Sequence, residues 1–98
     1  MITRIVKLTF KPEEVDTFKT LFLSQKDKIR AVEGCCQLRL LNDINTPNIF
    51  FTYSYWENES DLEAYRHSEL FKGIWAETKV LFGGKPEAWS VNELHKLD

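Results

Sequence analysis

The sequence predicts an α+β fold, a four-stranded antiparallel sheet with helices on one face, in the order β-α-β-β-α-β. Three observations carry this expectation. Segments 2–10, 49–56 and 87–94 alternate or are rich in β-branched and aromatic residues, two intervening stretches repeat apolar residues at steps of three and four, and Gly, Pro and Asn clusters separate them. With 98 residues the chain has the size of one compact domain, so residues 1–98 are expected to form a single unit.

The first strand is expected over 2–10, where Ile2, Val6, Leu8 and Phe10 share one parity and Thr3, Lys7 and Thr9 take the other. Lys11-Pro12-Glu13-Glu14 ends it, since proline suits a first helical turn and carboxylates are favoured at the positive end of the helix dipole. Val15, Phe18, Phe22, Ile29 and Val32 then form the stripe of an amphipathic helix, interrupted only by Gln25, with Gly34 as its stop. Residues 36–41 read as a second strand, closed by the turn formers from Asn42 to Asn48. The strongest strand signal is 49–56, Ile-Phe-Phe-Thr-Tyr-Ser-Tyr-Trp. Asn58, with Asp61 three residues on, caps a short helix running to about Tyr65. After the polar break Arg66-His67-Ser68-Glu69, Ser68 caps a second helix with the stripe Leu70, Phe71, Ile74, Trp75, Thr78, Leu81 and Phe82, stopped by Gly83-Gly84-Lys85-Pro86. In 87–94, Trp89 and Val91 alternate with Ser90 and Asn92 as a fourth strand.

This βαββαβ order, with the second helix broken, is the ferredoxin-like arrangement, which covers one sheet face with helices and leaves the other open. Neither face of the third strand suits water: Ile49, Phe51, Tyr53 and Tyr55 occupy its odd positions, Phe50 and Trp56 even ones. The chain is 43% hydrophobic and holds seven Phe, three Tyr and three Trp, more aromatic surface than a monomer of this size readily buries. A second copy packed sheet to sheet is the simplest cover, so a homodimer through the sheet face, a dimeric α+β barrel, is expected.

Thirteen Lys and Arg against 15 Asp and Glu give a net charge of -2, which supplies no basic field for nucleic acid. No apolar run reaches the roughly 18 residues of a membrane span, and the alternating start is unlike a signal peptide, so a cytoplasmic protein away from membranes is expected. Cys35 and Cys36 are neighbours, a spacing poor for a disulfide or a zinc site, and read as reduced thiols. His67 and His95 form no metal-ligand spacing with them, so no metal is expected.

Several motifs resemble one family. The opening strand Ile2 to Phe10, Glu33-Gly34-Cys35, Tyr55-Trp56-Glu57-Asn58-Glu59, the following Leu62, Ala64, Tyr65 and His67, and the join His67-Ser68-Glu69-Leu70-Phe71-Lys72 are similar to the antibiotic biosynthesis monooxygenase domain, over nearly the whole chain. That family lies in the dimeric α+β barrel group, with quinol monooxygenases and haem-degrading relatives. The resemblance implies oxygenation of a small aromatic or quinol-like molecule by O2 with no metal, flavin or other cofactor. A deprotonated phenolic substrate is electron-rich enough to pass an electron to oxygen, so the site needs an apolar cavity, a proton acceptor and donors that hold the anion. Haem degradation is not expected. Where those relatives carry an axial His this chain has Trp75, whose indole has no free lone pair, and their first-strand Asn has no counterpart.

By the same resemblance the cavity lies between sheet and helices, approached by Tyr65, His67, Phe71 and Trp75 and by Tyr53, Arg4 or Arg39. His67, Tyr65 and Arg4 are the candidate catalytic residues: His67 as a base titrating near neutrality, with a capping or solvated role as the alternative. Arg4 sits on the apolar parity of its strand, where a cation needs an anionic partner, a ligand or an escape to water. Trp75, Phe71, Tyr53 and Arg39 are the candidate substrate-binding residues, the aromatics being alternatively core. A non-catalytic ligand-binding or dimerisation module of the same fold is the rival function.

Overall fold

The computed structural model describes residues 1–98 and runs β1 (Ile2–Thr9), a 3₁₀ turn (Pro12–Glu14), α1 (Val15–Arg30), β2 (Cys35–Asn42), β3 (Ile49–Trp56), α2 (Glu59–Arg66), α3 (Glu69–Lys79) and β4 (Glu87–Asn92). The sheet order is β2-β3-β1-β4 with every neighbouring pair antiparallel, the ferredoxin-like α+β topology expected from the sequence. No helix is long and apolar enough to cross a membrane.

Register assigns each strand residue to a face, because side chains directly opposite in a ladder share a side. Leu8 pairs with Phe50, Val6 with Thr52, Arg4 with Ser54 and Ile2 with Trp56, and this set lies under the helices. The other set faces away: Ile5 lies between Tyr53 and Trp89, Thr3 between Tyr55 and Val91, and Tyr53 pairs in turn with Arg39. On the helix side the core has two parts. Leu8, Phe10, Phe18, Phe50 and Leu81 form one, and Cys35, Trp56 and Leu62 form the other. Phe10, Phe50 and Trp56 are essentially inaccessible to solvent, and truncating such a side chain to Ala costs about 3–5 kcal/mol.

The caps behave as the sequence suggested. Asn58 Oδ1 accepts the Asp61 N–H at 2.9 Å, and Ser68 Oγ accepts the Phe71 N–H at 3.1 Å. Between the two helices the Ser68 hydroxyl donates to the Tyr65 carbonyl at 2.6 Å, which closes the break. Three boundaries differ from expectation by two residues or more. Helix α1 stops at Arg30, so Val32 packs from the following turn against Trp56 and Leu62. Helix α3 stops at Lys79, because the Leu81 carbonyl is taken by the Lys11 N–H and the Gly83 N–H reaches the Thr9 carbonyl, which pulls Leu81 and Phe82 onto the end of β1. Strand β4 ends at Asn92. At the start of β2 a bulge makes Cys36 an extra residue; both thiols are free, and burial pushes the Cys35 thiol up.

Two glycines give opposite expectations. Gly34 has φ 86°, in the left-handed region, and an added Cβ would run into the side chain of Asp61. Gly73, inside α3, faces open space. Gly34→Ala is therefore expected to cost about 2 kcal/mol or more, and Gly73→Ala to stabilise by about 0.5–1 kcal/mol. Urea midpoints at constant m-value measure both, and a stability change of the same sign in the two variants would contradict this account.

Candidate functional site

The helix-side row of β3 reads Phe50, Thr52, Ser54, Trp56: bulky side chains at its ends and small ones at its centre. The bulky ends anchor the two parts of the core, and the small centre leaves space between them. A cavity of about 420 Å³ fills that gap, within the usual range for a small-molecule site. Its floor is Arg4, Val6, Leu8, Leu38, Thr52 and Ser54, and its roof includes Phe18 and Phe22 of α1, Leu62, Tyr65 and Arg66 of α2, and Phe71, Ile74 and Trp75 of α3.

Aromatic rings run along this roof in one connected series. Trp56 stacks on Tyr65 at 5.2 Å, Tyr65 meets Phe71 edge-on at 5.3 Å, Phe71 lies nearly parallel to Trp75 at 5.8 Å, and Trp75 meets Phe82 edge-on at 5.5 Å. Phe82 continues to Phe10 and Phe10 to Phe18. Offset and edge-on pairs of this kind hold their rings rigidly, so the wall is preorganised.

Four of the sequence-selected residues meet here: Arg4, Tyr65, Phe71 and Trp75 all line the cavity. Three do not. The His67 side chain is 78% exposed, turned to solvent at the C-terminus of α2 with its Nε2 3.6 Å from Glu63 Oε2. Tyr53 and Arg39 lie on the opposite face of the sheet, where the Arg39 guanidinium sits 5.6 Å from the Tyr53 ring centre. There the Tyr53 hydroxyl is 3.1 Å from that of Tyr55, which donates to Glu93 at 2.7 Å, and these bonds push the Tyr55 hydroxyl up. Strand parity explains the split: Arg4 and Tyr53 are adjacent in register but one residue out of phase, so one sheet carries them to opposite sides.

Arg66 also lines the cavity, although the sequence places it in a polar break. The signal was present, since Leu62, Tyr65 and Arg66 stand at i, i+3 and i+4 on one helical face. Its Nη1 donates to Glu63 Oε1 at 2.8 Å, which holds the Glu63 carboxyl below its usual range. Arg4 donates from Nη1 to Ser90 Oγ at 2.9 Å and makes no ion pair. Burial, and then the like charge of Arg66, lower the proton affinity of Arg4, with Glu63 opposing. Burial, and then the neighbouring Cys35 thiol, push the Tyr65 hydroxyl up to about 12. The wall therefore presents the Tyr65 phenol together with the guanidinium groups of Arg4 and Arg66.

A family model described as antibiotic biosynthesis monooxygenase matches residues 1–76. Among solved structures, an antibiotic biosynthesis monooxygenase superposes with TM-score 0.90 at 19% identity, covering 97% of this chain and 100% of its own. A conserved protein from Methanosarcina mazei Go1 gives 0.88 at 24% identity, with 95% and 93% covered. A Pseudomonas aeruginosa protein gives 0.84 at 20%, with 96% and 94% covered. At these identities the superpositions establish the fold. No curated protein matches the chain.

The raised Tyr65 value has a consequence for stability. The folded chain holds this phenolic proton more tightly than the unfolded chain, so the contribution is complete below the ordinary tyrosine value of about 10 and is lost as pH rises towards about 12. Urea unfolding measured at about pH 9 and about pH 11 should show stability falling. Tyr65→Phe should fall less steeply, the remainder coming from Tyr55 and Cys35, and an unchanged slope would remove Tyr65 as a source.

Proposed function

Because the chain belongs to the antibiotic biosynthesis monooxygenase family, we propose that it oxygenates a small aromatic, quinol-like substrate with molecular oxygen, without metal, flavin or other cofactor. The observation that carries this reading is the aromatic-walled cavity with Arg4 and Tyr65 on its wall. Phe71 and Trp75 hold the substrate ring by stacking and exclude water from it. Arg4 lowers the energy of the substrate oxyanion, and Tyr65, protonated at working pH, donates a hydrogen bond to an oxygen that gains charge. The electron-rich anion passes an electron to O2, and recombination forms a carbon–oxygen bond. For a ring CH2 group, one oxygen atom ends as the product C=O and the other leaves as water, so substrate carbon supplies every electron that oxygen gains.

In this scheme the substrate's own acidity, enhanced by the Arg4 charge, lets solvent water take the proton, because no imidazole lines the cavity. That same observation favours the second reading, a small-ligand-binding module of the same fold that lacks turnover. For either, the working assembly is a homodimer through the open sheet face. Trp89, Val91 and Leu41 stand 44%, 43% and 44% exposed there, beside the half-buried Ile5, Phe51, Tyr53 and Tyr55.

Oxygen uptake by metal-stripped protein with a panel of quinols and anthrone-like compounds decides between the two. Stimulated uptake is expected, with kcat/KM lowered about tenfold or more by Trp75→Ala and unchanged by His67→Ala; silence across the panel favours the binding module. Sedimentation should give twice the 11.5 kDa chain mass, reduced to the chain mass by Trp89→Asp with its circular dichroism preserved.

A further inference from the structure

A half-buried arginine is ordinarily matched by a carboxylate, because removing the cation from water is costly unless an anion compensates it. Arg66, itself exposed, pairs with Glu63, whereas the half-buried Arg4 has only the neutral hydroxyl of Ser90. Both guanidinium groups line the same cavity, one from the sheet floor and one from the helix roof, and the positive charge of Arg66 is the strongest charge effect on Arg4. The ionised groups around this end are Arg4, Arg66 and Glu63, with His67 beside Glu63 on the outer surface, so the balance is positive. Glu87, the carboxyl-bearing residue on the cavity wall, stands opposite Lys7. It lies three residues along β4 from Ser90, roughly 10 Å away by strand rise. An apolar cavity with two cations at one end and one anion too few lacks a negative group.

We propose that Arg4 and Arg66 form a subsite for a carboxylate carried by the aromatic ligand, so that the natural substrate is a quinol-like molecule that also bears an acid group. The inference rests on the cavity being the substrate site and deepens that reading. Guanidinium suits the role, since its planar fork matches a carboxylate in two hydrogen bonds, and the surrounding stacked rings bind the flat hydrocarbon body. The ligand lies with its acid towards β1 and α2 and its rings along Phe71 and Trp75.

Calorimetric titration with 2-naphthoate and its neutral isostere 2-naphthamide tests this on the intact chain. The carboxylate is expected to bind about tenfold or more tightly than the amide. Arg4→Gln should bring that ratio close to one, and Arg66→Gln, which leaves the Arg4–Ser90 contact in place, should reduce it by a smaller factor. Equal binding of the two ligands by the unmodified protein, a preference that survives both substitutions, or binding of neither ligand would overturn the proposal. Oxygen uptake separates the two ideas. Turnover of neutral quinols without any carboxylate preference keeps the oxygenation reading and removes the anion subsite; carboxylate preference without turnover of any quinol, neutral or carboxylated, does the reverse.

Discussion

The helix-side row of β3 decides what this domain contains. Phe50 and Trp56 are nearly inaccessible and belong to different parts of the core, while Thr52 and Ser54 between them are too small to reach the helices above. Protein interiors are packed to crystal density, so a gap this wide survives only when rigid neighbours prevent collapse. Here the neighbours are rings held against one another from Trp56 through Phe82 to Phe18, on elements anchored at both ends of the sheet. Ser54 serves twice, since its hydroxyl also accepts the Trp56 indole N–H at 2.9 Å and fixes that ring at the cavity's end. Larger apolar residues at 52 and 54 would join the two core parts and remove the site.

The break between α2 and α3 follows from the same constraint. A single straight helix from Glu59 to Lys79 would run about 30 Å, too stiff to follow the sheet's curvature while keeping Tyr65 and Trp75 on one wall. The Ser68 hydroxyl closes the end of α2 by donating to the Tyr65 carbonyl, and its oxygen opens α3 by accepting from the Phe71 N–H. The bend thus occurs between the two aromatic residues that meet edge-on across it. His67 occupies the outer side of this bend, which is why a residue between the wall residues Arg66 and Phe71 itself faces solvent.

Much of this architecture was legible in the sequence, and its failures have physical causes. Element order, both side-chain caps and the open sheet face came from period, capping chemistry and aromatic content, all of them local signals. Helix ends were overextended at Val32 and Phe82 because each continues the apolar stripe while its backbone is already engaged elsewhere, a long-range fact. For the site, helical spacing placed Phe71 and Trp75 on one face of α3, and the family resemblance joined Tyr65 of α2 to them. Helical spacing could not place Tyr53 and Arg39, whose face depends on strand register, nor His67, whose exposure depends on the angle of the bend. The alternation of large and small residues along β3 was readable, but its meaning required knowing which parity the helices cover.

The two faces of the sheet are not independent, and β4 is where they couple. That strand is exposed at every position and is held to the sheet by its ladder to β1 alone. Its Ser90 reaches under the helices to anchor Arg4, while Trp89 and Val91, one residue to either side, point to the open face beside Ile5 and Thr3. Strand alternation makes these side chains move as one: whatever holds Trp89 and Val91 also fixes Ser90, and with it the guanidinium on the cavity floor. An edge strand with so little burial samples open states more readily than the core strands. A second sheet laid on the open face would therefore stiffen β4 and narrow the range of Arg4 positions inside a cavity it never touches. The surplus of aromatic and apolar surface on the far face and the unpaired cation in the site are then parts of one arrangement, joined through a single register between β1 and β4.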